Sequence, residues 1–228
     1  IFSYKLLVLQ MKKLKFNFRI NLIEESEIKS CLKNDYINII NVDYDVKKAF
    51  EKISNKSNTY IENCFKLALK LLNRGITNKF INGPISKKHF LKKKYLGVTE
   101  YLAKKTNTKN FAMLIYNQNL SVSPITTHLP IKLVSKKITK KIIISKIKLI
   151  DSFYKKNLKT TPQIAVTGLN PHCESIHSFN EDSKITKPSI NYLKKAGLRI
   201  KGPFSADTIF LKNNRKHFNV IIGMYHDQ

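Results

Sequence analysis

With 228 residues, 42% of them hydrophobic and 10% aromatic, the chain can bury a sizeable core as one large or two smaller domains, and a disordered chain is excluded. A formal net charge of +27 would ordinarily point to nucleic acid or an anionic surface. The distribution argues otherwise: arginine occurs only at Arg19, Arg74, Arg199 and Arg215, the lysines are spread along the chain, and base readout and bidentate phosphate clamps favour arginine.

In chain order, Ile1–Met11 contains the apolar run Leu6–Leu9, too short to span a membrane and followed by no small-residue cleavage site. Alternation over Phe16–Ile23 and Tyr36–Val42 predicts two strands. Thr59–Gly75 reads as a helix, opened by a Thr59/Glu62 capping box and closed by Gly75. Ile61, Cys64, Phe65, Ala68, Leu71 and Leu72 form its inner face. Lys79–Lys87 reads as a strand entering a tight turn at Gly83-Pro84, where backbone N–H groups and Lys87 can face an anion. A further helix starts at Gly97, and Thr99 near its N-terminus either caps it or offers a hydroxyl to a phosphate or carboxylate.

Phe111–Tyr116 and Leu120–Thr127 predict a β-hairpin around Asn117-Gln-Asn119, delivering Thr127 and His128. A lysine-rich helix follows over Ile138–Leu158, with Ile142, Leu149, Ile150 and Phe153 on one side. Ile164–Val166 is a short buried strand, broken by Gly168, Asn170 and Pro171 before His172. A helix runs from Pro188 to Ala196 with Gly197 as its stop. Gly202–Phe210 reads as a rigid turn offering Asp207, and the strand from Val220 ends in Met224-Tyr-His-Asp-Gln228. This order of strands and helices predicts an α/β protein with a mostly parallel sheet.

Three histidines, His128, His172 and His226, each stand just past a strand, the edge at which open α/β sheets bind ligands. Each taken alone could be structural. Together they suit a divalent ion with open positions, able to hold a substrate hydroxyl and carboxylate. His89, His177 and His217 sit in lysine-rich helical or loop contexts that suit the role less. Cys31, Cys64 and Cys173 are odd in number and lack CxxC spacing, which fits a reducing cytoplasm rather than a disulfide framework or zinc knuckle. No GxGxxG follows a strand, and GxxxxGK[ST], GxSxG and HExxH are absent.

Six blocks in order, Asn82-Gly-Pro-Ile-Ser-Lys87, Gly97-Val-Thr-Glu100, Thr127-His-Leu-Pro130, Gly168-Leu-Asn-Pro-His172, Gly202–Phe210 and Met224-Tyr-His-Asp-Gln228, together resemble the 4-hydroxythreonine-4-phosphate dehydrogenases of pyridoxal 5′-phosphate (vitamin B6) synthesis. The resemblance implies a fold like the isocitrate and isopropylmalate dehydrogenases. Two α/β/α domains, assigned to 1–125 and 126–228, flank a central cleft and bind NAD without a Rossmann motif. It implies NAD-dependent oxidation of 4-phosphooxy-L-threonine and decarboxylation to 3-amino-2-oxopropyl phosphate. His128, His172 and His226 match the ligands of one zinc, magnesium or cobalt ion, manganese being equally compatible with histidine. Thr99 and Asp207 match substrate-site residues, and Lys87 joins them as a candidate substrate contact. The resemblance also implies a cytoplasmic homodimer that shares each site between subunits, with the ligand matching His226 coming from the other subunit, and neither nucleic acid nor a membrane is expected as a partner.

The sequence departs from the family in three places. Val98 stands where the family has a substrate-binding histidine, which admits another phosphorylated hydroxy acid such as 4-phospho-threonate or 4-phospho-erythronate. Cys173-Glu-Ser-Ile-His177 replaces an Ala-Gly-Glu and glycine pattern. The family's N-terminal Gly-Asp-Pro-Ala-Gly block and everything beyond the last block are missing, including a lysine, an asparagine and an arginine that contact substrate and most of the cofactor site. The chain begins without Met and ends directly after a strand, so both ends read as cut, and these 228 residues are expected to be inactive or poorly folded while a longer parent is the enzyme. A lysine-rich nucleic-acid-binding protein is the alternative of another class; its affinity would fall steeply with salt and ignore the histidines.

Overall fold

The two apolar runs at 164–166 and 220–224 pair side by side at the centre of one sheet. The computed structural model describes residues 1–92, 94–174 and 179–228. They divide into two compact units, Ile1–Tyr95 and Leu96–Gln228.

The first unit contains α1 (Tyr4–Leu14), β1 (Ile20–Leu22), β2 (Ile37–Ile39) and α2 (Asn58–Asn73). Helix α1 was not foreseen; Ser3 caps it by accepting the Leu6 N–H. The two strands pair in parallel, Ile20 opposite Ile37, and each is a three-residue piece of the longer alternating run. Helix α2 does not start with the expected capping box. Ser57 occupies the N-cap without a side-chain cap bond, and Thr59 lies inside the first turn. The other end is as expected: Gly75 at φ +66° donates to the Leu72 carbonyl while Ile76 donates to Leu71, the paired bonds of a Schellman stop. Lys79–Gly83 forms no strand. It pairs with none among the described residues, and Ile81 stays 94% exposed.

The second unit runs through α3 (Val98–Lys105), β3 (Ser121–Thr126), α4 (Val134–Lys137), α5 (Lys140–Asn157), β4 (Ile164–Thr167), α6 (Lys187–Lys195), β5 (Ile200–Phe204), α7 (Ala206–Ile209), α8 (Lys212–Arg215) and β6 (Val220–Tyr225). Its sheet has the order β3-β6-β4-β5, with every pair parallel. On one face Val166, Ile222 and Met224 pack against Ile143, Ile147, Ile150 and Tyr154 of α5 and Ile190 and Leu193 of α6. On the other, Ala165 and Ile221 pack against Ile209. Burial on both faces is why β4 and β6 read as continuous apolar runs instead of alternating ones.

The inner face of α5 is rotated from the expected stripe. Ile143, Ile147, Ile150 and Tyr154 are buried, whereas Phe153 is exposed. The run Ile142–Ile144 can start either stripe; Tyr154, whose hydroxyl donates to Ser121 Oγ at 2.9 Å, belongs to the one that packs. The expected hairpin shrinks to one antiparallel bridge in which Ile115 and Val122 exchange hydrogen bonds. Gly202-Pro203, expected in a turn, lies inside β5 at a register shift against β4. Gly202 adopts φ +137°, and a Cβ there would run into the Val166 carbonyl oxygen, so only glycine fits. Among the described residues no helix is long and apolar enough to cross a membrane.

Candidate active site at the ends of the parallel strands

Because all four strands run the same way, their carboxyl ends lie on one edge of the sheet. Each delivers a residue singled out in the sequence: His128 after β3, His226 after β6, His172 after β4 and Asp207 after β5. Neighbouring strands stand about 5 Å apart, so β3 and β4, with β6 between them, are about 10 Å apart. This spacing splits the site into two halves.

In the first half the rings of His128 and His226 stack at 5.6 Å and 30°. His128 adopts φ +53°, a left-handed conformation rare for a side chain of this size. The ring lies so close to Gly97, the N-cap of α3, that a Cβ there would come within 2.6 Å of it. Glu100, one turn along α3, accepts a hydrogen bond from the Thr127 hydroxyl at 2.8 Å. Its other oxygen lies 3.6 Å from His128 Nδ1, and both of these buried atoms lack a hydrogen-bond partner. His226 Nδ1 meets the Asp227 carboxylate at 2.7 Å. Both imidazoles therefore turn Nδ1 toward a carboxylate, which leaves Nε2 as the lone-pair nitrogen. Val98 and Thr99 occupy the first turn of α3.

The second half is built on the loop after β4. Asp182, fully buried, accepts from the Leu169 and Asn170 backbone N–H groups at 2.8 and 2.9 Å and from Asn170 Nδ2 at 3.1 Å. Gln228 joins this loop to β6: its amide donates to the Gly168 carbonyl at 2.6 Å, and its oxygen accepts from the Met224 N–H and the Thr167 hydroxyl. From this anchored loop His172 and Cys173 emerge at φ +54° and +62°. Cys173 is buried against Gly168, and burial pushes its thiol up. The Ser205 hydroxyl donates to Asp207 at 2.6 Å and holds its carboxyl below the usual range, with a smaller lowering contribution from the His172 charge. Most of the departing segment after Cys173, namely residues 175–178 with His177, lies outside the described residues.

The expected metal set is thus brought together only in part. His128 and His226 meet within one chain, where the resemblance has the His226 counterpart reaching across a dimer. Among the described residues no three His, Cys, Asp or Glu side chains are gathered tightly enough to hold an ion. The donor chemistry still fits a divalent ion: two imidazole rings, carboxylates behind them, and the orphaned His128 Nδ1–Glu100 pair that a ligated ring would bring into use. Lys87 belongs to the first unit, where it opens the π-helical turn Lys87–Leu91. Sequence reasoning quoted Glu100 and Gln228 within motif blocks without giving either a role, and it missed Asp182. Only its position beside Thr99 could have marked Glu100.

A cavity of about 660 Å³ lies in the first unit among Tyr44, Tyr60, Phe65 and Phe80. A second, about 630 Å³, lies in the second unit and includes Glu100 and Thr127 in its wall.

Over residues 1–228 the chain matches the family described as pyridoxal phosphate biosynthetic protein PdxA. It is 34% identical over 215 residues to 4-hydroxythreonine-4-phosphate dehydrogenase of Sulfurihydrogenibium sp. (strain YO3AOP1), covering 92% of this chain and 65% of that protein. It is 33% identical over 168 residues to D-threonate 4-phosphate dehydrogenase of Pectobacterium atrosepticum, covering 72% of this chain and 52% of that protein. The crystal structure of 4-hydroxythreonine-4-phosphate dehydrogenase from Klebsiella pneumoniae has the same fold, with a TM-score of 0.81 at 24% identity over 98% of this chain and 69% of that one. The chain spans between about half and two-thirds of the length of these curated relatives.

Proposed function

The chain belongs to the PdxA family of pyridoxal phosphate biosynthetic proteins, and from that premise we propose that its protein oxidises 4-phosphooxy-L-threonine with NAD, the product losing carbon dioxide to give 3-amino-2-oxopropyl phosphate. The observation that carries this reading is the convergence of Thr127-His128, His226, His172 and Asp207 on one edge of a parallel sheet. The names of the similar proteins supply the reaction class.

In this reading His128 and His226 hold a divalent ion, zinc, magnesium or cobalt, with His172 as the third ligand. The ion supplies positive charge to the substrate's hydroxyl and carboxylate oxygens. Glu100 and Asp227 keep Nδ1 of the two rings turned away from the substrate, which fixes the tautomer. Asp207, kept ionised by Ser205, accepts a hydrogen bond from the substrate's ammonium or hydroxyl. Thr99 and the N–H groups at the start of α3 receive the phosphate, and Lys87 adds charge. A cytoplasmic homodimer with sites shared between subunits completes the reading.

Val98 favours a second reading. At the start of α3 it cannot hydrogen-bond, so the substrate could be another phosphorylated hydroxy acid such as 4-phospho-D-threonate, in keeping with the name of the Pectobacterium relative. NADH formation by the full-length protein with each compound, with and without a divalent ion, tests both. Turnover of 4-phosphooxy-L-threonine that needs the ion is expected; preference for the threonate supports the second reading, and no NADH from either compound contradicts both.

A further inference from the structure

We propose that the cavity bounded by α3, the end of β3 and α5 is a second anion site, which holds the phosphate group of a small phosphate monoester against Lys141 and Lys146. Its wall includes Lys109, Lys137, Lys141 and Lys146 and one acidic residue, Glu100. Four lysines against one glutamate leave an excess of three positive charges, more than one carboxylate can balance and well suited to a dianion. At about 630 Å³ the space is large enough for a small ester.

Lys146 distinguishes this cavity from the general positive surface. Lys109, Lys137 and Lys141 are exposed, whereas Lys146 is partly buried, with its ammonium 5.8 Å from the centre of the Phe111 ring. Burial pulls its pKa below the ordinary lysine value, and the attraction of Glu100 offsets this only in part. Glu100 is itself committed to the Thr127 hydroxyl and faces His128. Ser145 is engaged too, its hydroxyl donating to Asn110 at 2.7 Å. A cation withdrawn from water with so little compensation is costly, and an anion in the cavity relieves that cost.

The inference does not depend on the proposed reaction, and its test uses neither metal, NAD nor substrate. Inorganic phosphate and glycerol 3-phosphate are titrated into the protein by calorimetry at fixed ionic strength. A saturable event that persists in Thr99→Val is expected, with the ester bound at least as tightly as the free ion. Lys146→Gln should weaken it at least about tenfold, the loss of one charge-assisted contact. Lys141→Gln, an exposed change that leaves folding undisturbed, should weaken it several-fold, and the double variant Lys12→Gln/Lys13→Gln on α1 should bind as the parent does. Unchanged binding in both Lys141→Gln and Lys146→Gln overturns the proposal. So does equal weakening in the α1 double variant, which would mark a diffuse field, and so does loss of binding in Thr99→Val, which would place the anion in the candidate substrate site.

Discussion

The two units use apolar residues differently. In the first, the strands are three residues long, and Phe16, Phe18, Phe50, Ile53 and Ile81 are exposed. In the second, Ile164, Ala165, Val166, Val220, Ile221 and Ile222 are completely buried between helical layers. The chemistry-bearing histidines follow the second pattern, and the reason is mechanical. His128 and His172 stand directly after buried strands at φ +53° and +54°. A sheet packed on both faces fixes where those strands end, and Asp182 and Gln228 clamp the loop that carries His172.

The comparison can be broken most violently at Gly202. Gly202→Val forces a side chain into the Val166 backbone at φ +137° and should cost about 4 kcal/mol, read as a fall in the urea midpoint. Parent-like stability would mean β5 is not locked to β4. Next, Ile147→Ala removes a completely buried side chain between α5 and the sheet and should cost about 3 kcal/mol. Asp182→Asn turns one acceptor into a donor facing donors. It should cost about 2 kcal/mol and speed amide exchange at Leu169 and Asn170, with exchange elsewhere in the sheet little changed. Ile81→Ala in the first unit should shift stability by less than about 0.5 kcal/mol, and a loss as large as that of Ile147→Ala would erase the contrast between the units.

What was legible in the sequence follows the same divide. β4 and β6 were readable because burial on both faces leaves an unbroken apolar run, and the ends of α2 and α6 because glycine takes the left-handed stop most readily, at Gly75 and Gly197. The inner face of α5 was not, since Ile142, Ile143 and Ile144 in succession satisfy two stripes and only the packing of Tyr154 chooses. The strand expected at Lys79–Gly83 lacked a neighbour to pair with, which local alternation cannot reveal. At the site, the histidines carried a local signal as polar residues directly after strands. Asp182 carried none, because the loop it holds lies 12 and 13 residues back, and Gln228 showed no role, because Gly168 and Thr167 lie 60 and 61 residues away in the chain.

The claim at the centre of this account is that strand ends of the second unit hold a divalent ion through His128 and His226. Titration with cobalt(II), followed by its visible ligand-field absorption, tests it without substrate or cofactor. One ion per chain with nitrogen ligation is expected, its binding weakened at least about tenfold in both His128→Ala and His226→Ala and unchanged in His89→Ala of the first unit. Parent-like cobalt affinity and spectrum in both His128→Ala and His226→Ala would contradict it.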